Sequence, residues 1–326
     1  MQWSMLSDFQ IPGVKVANYT DKENITGATI FIFDEPLLGA ADKRGGAQTT
    51  RQFDSLLHPH ITLGVDAIVI SGGSAFGLGA ANGVVQFLKE QGKGFGIGNF
   101  RVPRVPTACI FDLTIGNPVP PSPEKLYEAC FKAKDSITED DMGSKGAGTG
   151  ATVGKLYGIP YATKGGIGFA FSEKETKDGT KIKNVAFAVV NAFGNIIEEG
   201  KIIAGVRKKE GGFLDFVEEG IFHPPKYPED YFSSTVLIIG FTEGKFSTPQ
   251  LQILAQCMNS ALASCVKPAH TPFDGDIAIA FSCNKKEADF FDVFGEFYKL
   301  TQKAVIAAIK KAEPLGGVPA FSDLKK

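Results

Sequence analysis

Histidine is scarce in this sequence, cysteine is unpaired in number, and net charge is nearly absent. The four histidines are His58, His60, His223 and His270. His58 and His60 flank a proline and His223 sits in a proline-rich segment, so none is poised for a serine triad, and the expectation is surface histidines. No histidine pair has the helical spacing of metal ligands, and Asp274-Gly-Asp276 alone is a weak metal signal. The five cysteines, Cys109, Cys130, Cys257, Cys265 and Cys283, have no C-x-x-C spacing and apolar neighbours. They read as reduced core thiols of a cytosolic protein. With 34 Lys and Arg against 36 Asp and Glu, the formal charge is −2, and 43% of residues are hydrophobic. That balance excludes a disordered chain and a basic nucleic-acid binder. No stretch approaches the ~18 to 20 apolar residues that span a bilayer, and Met1 to Val16 lacks a basic region followed by an apolar one. No long repeat or low-complexity tract occurs, and the expectation is a soluble, cytoplasmic protein.

What is abundant is glycine, 38 of 326 residues, about 12% against a usual ~7%. Nine glycines lie between Gly72 and Gly98 and nine between Gly143 and Gly168. The β-branched run Val65 to Ile70 precedes the first window as a buried strand, and Ser71 to Gln91 turns into a helix that Gly92 ends. Ser122 and Pro123 cap a helix expected to run through Lys134. The charged run Ser172 to Asn184 is expected to be an exposed hairpin tip between strands at Gly168 to Phe171 and Val185 to Val190. Phe222 to Phe232, with three prolines, reads as an exposed linker, and Ser233 to Phe241 as a core strand. Ser247-Thr248-Pro249 caps a helix with Leu251, Leu254, Met258, Leu262 and Cys265 on its apolar side. A further helical stretch runs from about Lys285 to Lys311. The pattern is that of a mixed α and β protein.

Glycine clusters suggest phosphate cradles, because glycine lets a backbone approach a ligand closely. The flanking residues disagree. Gly146-Ala-Gly-Thr-Gly150 follows Glu139-Asp140-Asp141 rather than a strand, and Gly154-Lys155 has Thr149 and Leu156 where a P-loop needs Gly and Ser or Thr. Ser71 to Gly77 sits between strand and helix like a nucleophile elbow, but Phe76 breaks the pattern. No nucleotide, metal or other cofactor is expected. There remains chemistry that needs neither histidine nor metal: a serine at the start of a strand, freed by chain cleavage, whose own α-amine serves as base. Ser234, at the junction of linker and apolar strand, occupies such a position.

Seven segments, in order, resemble the DmpA-like L-aminopeptidase/D-amidase-esterase family, which includes β-peptidyl aminopeptidases and nylon-oligomer hydrolase. They are Asp42-Lys-Arg-Gly-Gly-Ala47, Ile70-Ser-Gly-Gly-Ser-Ala-Phe-Gly-Leu78, Val105-Pro-Thr-Ala-Cys-Ile-Phe-Asp-Leu113, Gly146-Ala-Gly-Thr-Gly-Ala-Thr-Val-Gly-Lys155, Val190-Asn-Ala-Phe-Gly194, Ser233-Ser-Thr-Val236 and Thr271-Pro-Phe-Asp-Gly-Asp276. The resemblance implies an α+β fold, a four-layer αββα sandwich, formed by residues 1–326 as a single domain. It also implies self-cleavage between Ser233 and Ser234 into subunits 1–233 and 234–326, and a homo-oligomer, tetramer or larger. By the same resemblance Ser234 is the nucleophile, Lys155 and Asn191 are active-site residues, and Asp274 and Asp276 are the acidic pair of the nylon-hydrolase branch, expected to bond the amine and the lysine. Backbone N–H groups of the Gly72 to Gly77 turn are expected to line the substrate cleft, with Gly72, Gly73, Ser74 and Phe111 as the substrate-binding residues. The residue before the cut is Ser233 where the family commonly has Asn or Gly, and Phe111 stands where several members have tyrosine. The implied function is a serine aminopeptidase or amidase acting on small peptides, amides or esters. Acyl transfer on the same architecture and an uncleaved, non-catalytic oligomeric binding protein are the alternatives.

Overall fold

The computed structural model describes residues 9–61, 64–176, 179–223 and 234–324. Among the described residues nine strands form one hydrogen-bonded sheet. They are β1 (Val14–Asp21), β2 (Thr26–Lys43), β3 (Thr50–Arg51), β4 (Val65–Ser71), β5 (Thr107–Cys109), β6 (Gly166–Glu175), β7 (Lys181–Asn191), β8 (Thr235–Gly244) and β9 (Ile277–Lys286). The strand order is β6-β7-β8-β9-β2-β4-β5-β3, with β1 also paired to β2.

β2 belongs to two layers. Its first part, through Phe33, pairs with β1 and β4, and Leu38 to Lys43 pair with β9. Between them Asp34, Glu35 and Pro36 are exposed and the β4 register shifts. A proline, which has no N–H to give a ladder, is tolerated there because the pairing is already interrupted. The strand thereby joins a β6-β7-β8-β9 layer to a β1-β2-β4-β5 layer.

Side-chain alternation explains why the layers face each other. Phe31 and Phe33 of β2, Phe187 of β7, Leu237, Ile239 and Phe241 of β8, and Ile279 and Phe281 of β9 share one buried cluster. Phe241 stacks on Phe281 with ring centroids 5.3 Å apart, and Phe31 meets Phe187 edge-on at 4.8 Å. The alternate residues point outward and are small on β7 and β9, where Ala186, Ala188, Ala278 and Ala280 pack under helices α3 (Thr248–Ala263) and α4 (Phe290–Lys310). On the other layer Ile30, Ile32, Ala67 and Val69 pack under α1 (Ala81–Glu90) and α2 (Pro123–Cys130). Strands covered on both faces read as continuous apolar runs. The order helix, sheet, sheet, helix is the expected αββα sandwich.

Several boundaries differ from expectation. α2 ends at Cys130, four residues before Lys134. Lys134 instead exchanges backbone hydrogen bonds with Val16, which draws the chain onto β1. Lys285 and Lys286 belong to β9, and α4 begins only after its Asp289 cap, which accepts from the Asp292 N–H. The charged hairpin is mostly paired strand, reaching Glu175 on one side and starting at Lys181 on the other, with Asn184 buried. Its central Asp178, the linker from Pro224 and Ser233 lie outside the described residues. All five cysteines are free and buried. Among the described residues no helix is long and apolar enough to cross a membrane, and no three His, Cys, Asp or Glu converge as metal ligands.

Candidate active site

The topology brings four strand ends together. β8 and β9 are parallel neighbours, so the residues preceding each strand lie side by side, and Ser234 bridges to Asp274. β7 is antiparallel to β8 and delivers its last residue, Asn191, opposite Thr235. β2, antiparallel to β9, delivers Lys43 opposite Ile277. Residues far apart in sequence therefore converge because pairing register fixes where each strand stops.

Ser234 is 2% exposed, and its Oγ has no hydrogen-bond partner among the described residues. Its backbone is anchored: the Gly275 N–H donates to Ser234 O at 2.9 Å and Thr235 Oγ1 donates to the same oxygen at 2.5 Å. The buried hydroxyls of Ser71, Ser172 and Thr301 likewise lack a partner among the described residues, so what sets Ser234 apart is its place where the strand ends converge beside Asp274.

Asn191 is fully buried and its amide orientation is fixed from both sides. Oδ1 accepts from the Thr152 N–H at 3.0 Å and from Lys155 Nζ at 2.7 Å, while Nδ2 donates to Phe111 O at 3.1 Å. Lys155 Nζ also donates to Asn191 O at 3.2 Å. The lysine is fully buried, and its backbone is tied to the segment after β7 by Lys155 N to Phe193 O, 3.1 Å. Gly154 makes this approach possible. Its φ of +75° disfavours side chains, and a Cβ there would lie 2.1 Å from Gly205 C.

The two carboxylates are loaded with donors. Asp274 Oδ2 accepts from the Thr271 N–H at 2.9 Å and Thr271 Oγ1 at 2.6 Å, and Oδ1 from the Phe193 N–H at 3.2 Å. Asp276 Oδ1 accepts from the Val236 N–H at 2.7 Å, and Oδ2 from the His270 N–H at 3.0 Å, with His270 Nδ1 2.9 Å away. Burial, and then the charge of Asp276, push the Asp274 carboxyl up to about 7. Such a group gains and loses a proton near neutrality. His270 is thus not a surface histidine: the sequence shows only an isolated imidazole, and the turn through Thr271 to Gly275 folds it back onto Asp276.

A second buried polar group adjoins this one. Asp112 accepts from the Gly73 N–H at 2.7 Å and from Thr26 Oγ1 at 2.8 Å. Burial raises its carboxyl to about 6 against those hydrogen bonds. Lys164, fully buried, donates to Ala151 O at 2.7 Å and Gly165 O at 3.3 Å, and burial lowers its amine to about 7. Neither residue was anticipated, although an aspartate inside Cys-Ile-Phe-Asp-Leu and a lysine before paired glycines are the single charges of their segments.

The Gly72 to Ser74 turn differs from expectation. Its donors are engaged inside the fold: Gly72 N–H to Gly27 O at 2.8 Å, Gly73 N–H to Asp112, and Ser74 N–H to Ile110 O at 2.9 Å. The glycine at 72 is required by packing, since a Cβ would lie 2.1 Å from Asp112 Oδ2. Phe111 touches the site through its carbonyl, and its ring is half-buried.

The sequence pattern described as peptidase family S58 matches residues 7–320. An uncharacterised aminopeptidase of Mycobacterium leprae is 29% identical over 357 residues, covering 97% of this chain and 93% of that protein. The 6-aminohexanoate-oligomer endohydrolase of a Kocuria species is 26% identical over 284 residues, 85% of this chain and 75% of that protein. The L-aminopeptidase D-Ala-esterase/amidase of Ochrobactrum anthropi, described as a variant of the Ntn-hydrolase fold, superposes with a TM-score of 0.72 at 18% identity, covering 95% of this chain and 87% of that one.

Proposed function

This chain belongs to peptidase family S58 and is a hydrolase of amide bonds, and from that premise we propose that it is a self-processing serine aminopeptidase and amidase whose nucleophile is Ser234. The observation that carries the reading is the buried Ser234 Oγ at the head of β8, without a hydrogen-bond partner among the described residues, two residues after the proline-rich segment that ends at Phe232 and beside Asp274.

In the processing step Ser234 Oγ attacks the carbonyl carbon of Ser233. The C–N bond to Ser234 breaks, the acyl group passes from nitrogen to oxygen, and the nitrogen takes up a proton as a free α-amine. Water then attacks the ester, releasing the Ser233 carboxylate and restoring the hydroxyl. An α-amine has an ordinary pKa of ~7.7 to 8.0, so part of it is available as a base near pH 7.

In turnover the same hydroxyl attacks a substrate carbonyl. The Ser234 amine or Lys155 accepts the hydroxyl proton and passes it to the leaving nitrogen, and water resolves the acyl-enzyme. Asn191 Nδ2, whose direction is set by the donors on Oδ1, would supply an N–H to the tetrahedral oxyanion; one such donor is worth ~2.7 to 4 kcal/mol. Asp274 and Asp276 would hold the residues after β7 and the first residues of β8 in register for attack. The substrate class is a small peptide or amide with a free N-terminus. A hairpin exposing Phe95, Ile97, Phe100 and Val102 supports assembly into a homo-oligomer that covers it.

Mass measurement under denaturing conditions tests the reading. Cleavage before Ser234 divides 34.8 kDa into pieces of about 25 and 10 kDa. The pieces should stay together in native buffer, because β8 and β9 lie in the sheet between β7 and β2. A single intact chain with full amidase activity would overturn the mechanism. Comparing p-nitroanilides of L-, D- and β-amino acids identifies the amine recognised.

A further inference from the structure

We propose that His270 is a positioning residue of this site: it stands as an imidazolium whose Nδ1–H rests on the Asp276 carboxylate and, through Asp276, it sets the charge beside Asp274 and the start of the strand after Ser234. Both ring nitrogens face acceptors. Nε2 lies 3.2 Å from the Asn259 carbonyl, which can only accept, so Nε2 carries hydrogen. Nδ1 lies 2.9 Å from Asp276 Oδ2. Asp276 receives two further N–H bonds, from His270 at the same oxygen and from Val236 at the other. A carboxylate that accepts several N–H donors is stabilised in its charged form. The shared proton therefore resides on Nδ1.

The backbone is shaped to make the contact. His270 has φ +57°, the left-handed region, and that conformation lets one carboxylate oxygen take both its N–H and its ring. Strain of this kind persists where surrounding contacts over-determine it. Burial opposes a charged ring, but the hydrogen bond and charge of Asp276 and the Asn259 carbonyl outweigh it and raise the imidazole pKa.

The charged groups around the pair come from three directions. Arg44, just past β2, opposes the imidazolium. Asp42 engages Arg44 Nε at 2.7 Å and also accepts from Asn259 Nδ2 of α3 at 2.8 Å. Asp274 stands two residues before Asp276, and its proton affinity is raised by burial and by the Asp276 charge. The two neighbouring carboxyls therefore sit in unlike surroundings, Asp276 on a histidine ring and two backbone N–H groups and Asp274 on a threonine and the Phe193 N–H, which is how a pair acquires distinct acid and base roles. Because the Val236 N–H rests on Asp276 Oδ1, the same ion pair also fixes the strand that begins one residue after Ser234.

The proton's position is independent of the function proposed above, whereas its effect on rate rests on that reading, and two measurements keep them apart. Imidazole 15N NMR of the purified protein has four histidines to resolve, and His270→Asn identifies the signal. Both His270 nitrogens should be protonated at pH 7. An unprotonated Nδ1 would overturn the proposal whatever the activity. Asparagine tolerates the left-handed backbone and offers Asp276 an uncharged N–H. In His270→Asn, loss of the cation makes the Asp274 and Asp276 pair hold its proton to higher pH, and because the Asp274 carboxylate anchors the Thr271 and Phe193 N–H groups beside Ser234, the acid limb of the kcat profile should move up by ~1 pH unit or more. A lowered kcat with the limb unmoved would show a purely structural role and reject the positioning argument. If the asparagine variant does not fold, His270→Gln supplies the profile, and the NMR result on the unaltered protein still decides. Absence of any hydrolysis by the unaltered protein, with a protonated Nδ1, would count against the proposed function alone.

Discussion

Two buried polar clusters meet at the Asn191 to Phe111 hydrogen bond, and they are satisfied in opposite ways. Around Asp112 and Lys164, each polar end rests on groups that belong to the scaffold: a glycine N–H and a threonine hydroxyl for the carboxyl, two backbone carbonyls for the amine. Around Ser234, neighbouring groups are fixed just as firmly, yet the hydroxyl at the centre has no partner among the described residues. Full satisfaction makes a polar core rigid, whereas a buried hydroxyl without a partner costs stability, as those of Ser71, Ser172 and Thr301 also do. On the function proposed above, the first cluster is the support and the second the reacting centre.

Substitutions can break that distinction. The largest effect is expected for Ser234→Ala, which should abolish processing, leave one 34.8 kDa chain and lower amide turnover by ~10⁴-fold or more, read by mass and rate. Asn191→Ala comes next, with kcat reduced by ~10² to 10³-fold if its N–H meets the oxyanion. If instead the loss is confined to KM, Asn191 binds the ground state only.

The support cluster should respond in stability before rate. Lys164→Met removes the Nζ donor from the buried carbonyls of Ala151, which keeps the Gly165 N–H, and Gly165, and urea unfolding should show a loss of ~1 to 3 kcal/mol. A variant of unchanged stability but abolished processing would move Lys164 into the reacting centre. The smallest effect is a slope. Asp112 has a folded pKa of about 6, above its ordinary value, so the folded state holds the proton more tightly than the unfolded one. That stabilising contribution is full below ~4 and is lost as pH rises through about 6. Asp112→Asn should therefore gain on the unaltered protein in urea midpoint as pH goes from 5 to 7.5. A pH-independent difference would show that the carboxyl is ionised throughout.

Much of the architecture was legible because it rests on local pattern. The Val65 run, the Ser247 cap with its Gln250 capping box, and the apolar side of α3 follow from residue type and period. The errors fell where a tertiary contact overrode local preference. α2 stops at Cys130 although nothing in the next four residues forbids a helix, because Lys134 pairs with Val16. Lys285 and Lys286 look helical in composition, but Gly244 pairs with Lys286 and Lys286 Nζ binds Glu243. The site residues matched as a set only through the family's ordered segments, since a lysine after Val-Gly or an aspartate in a turn has no intrinsic signature of chemistry.

The glycine windows show the same division. Their flanks were enough to exclude phosphate cradles. That Gly72 makes room for Asp112 and Gly154 for the chain at Gly205 depends on segments more than thirty residues away. By itself the sequence determined the class of fold, the burial of the cysteines and the family, because these follow from periodicity, composition and ordered motifs. The tertiary structure alone decided that His270 meets Asp276, that Asn191 orients on Lys155, and that the donors of the Gly72 turn are engaged. Those outcomes depend on where paired strands end in space, and register is a property of the assembled sheet.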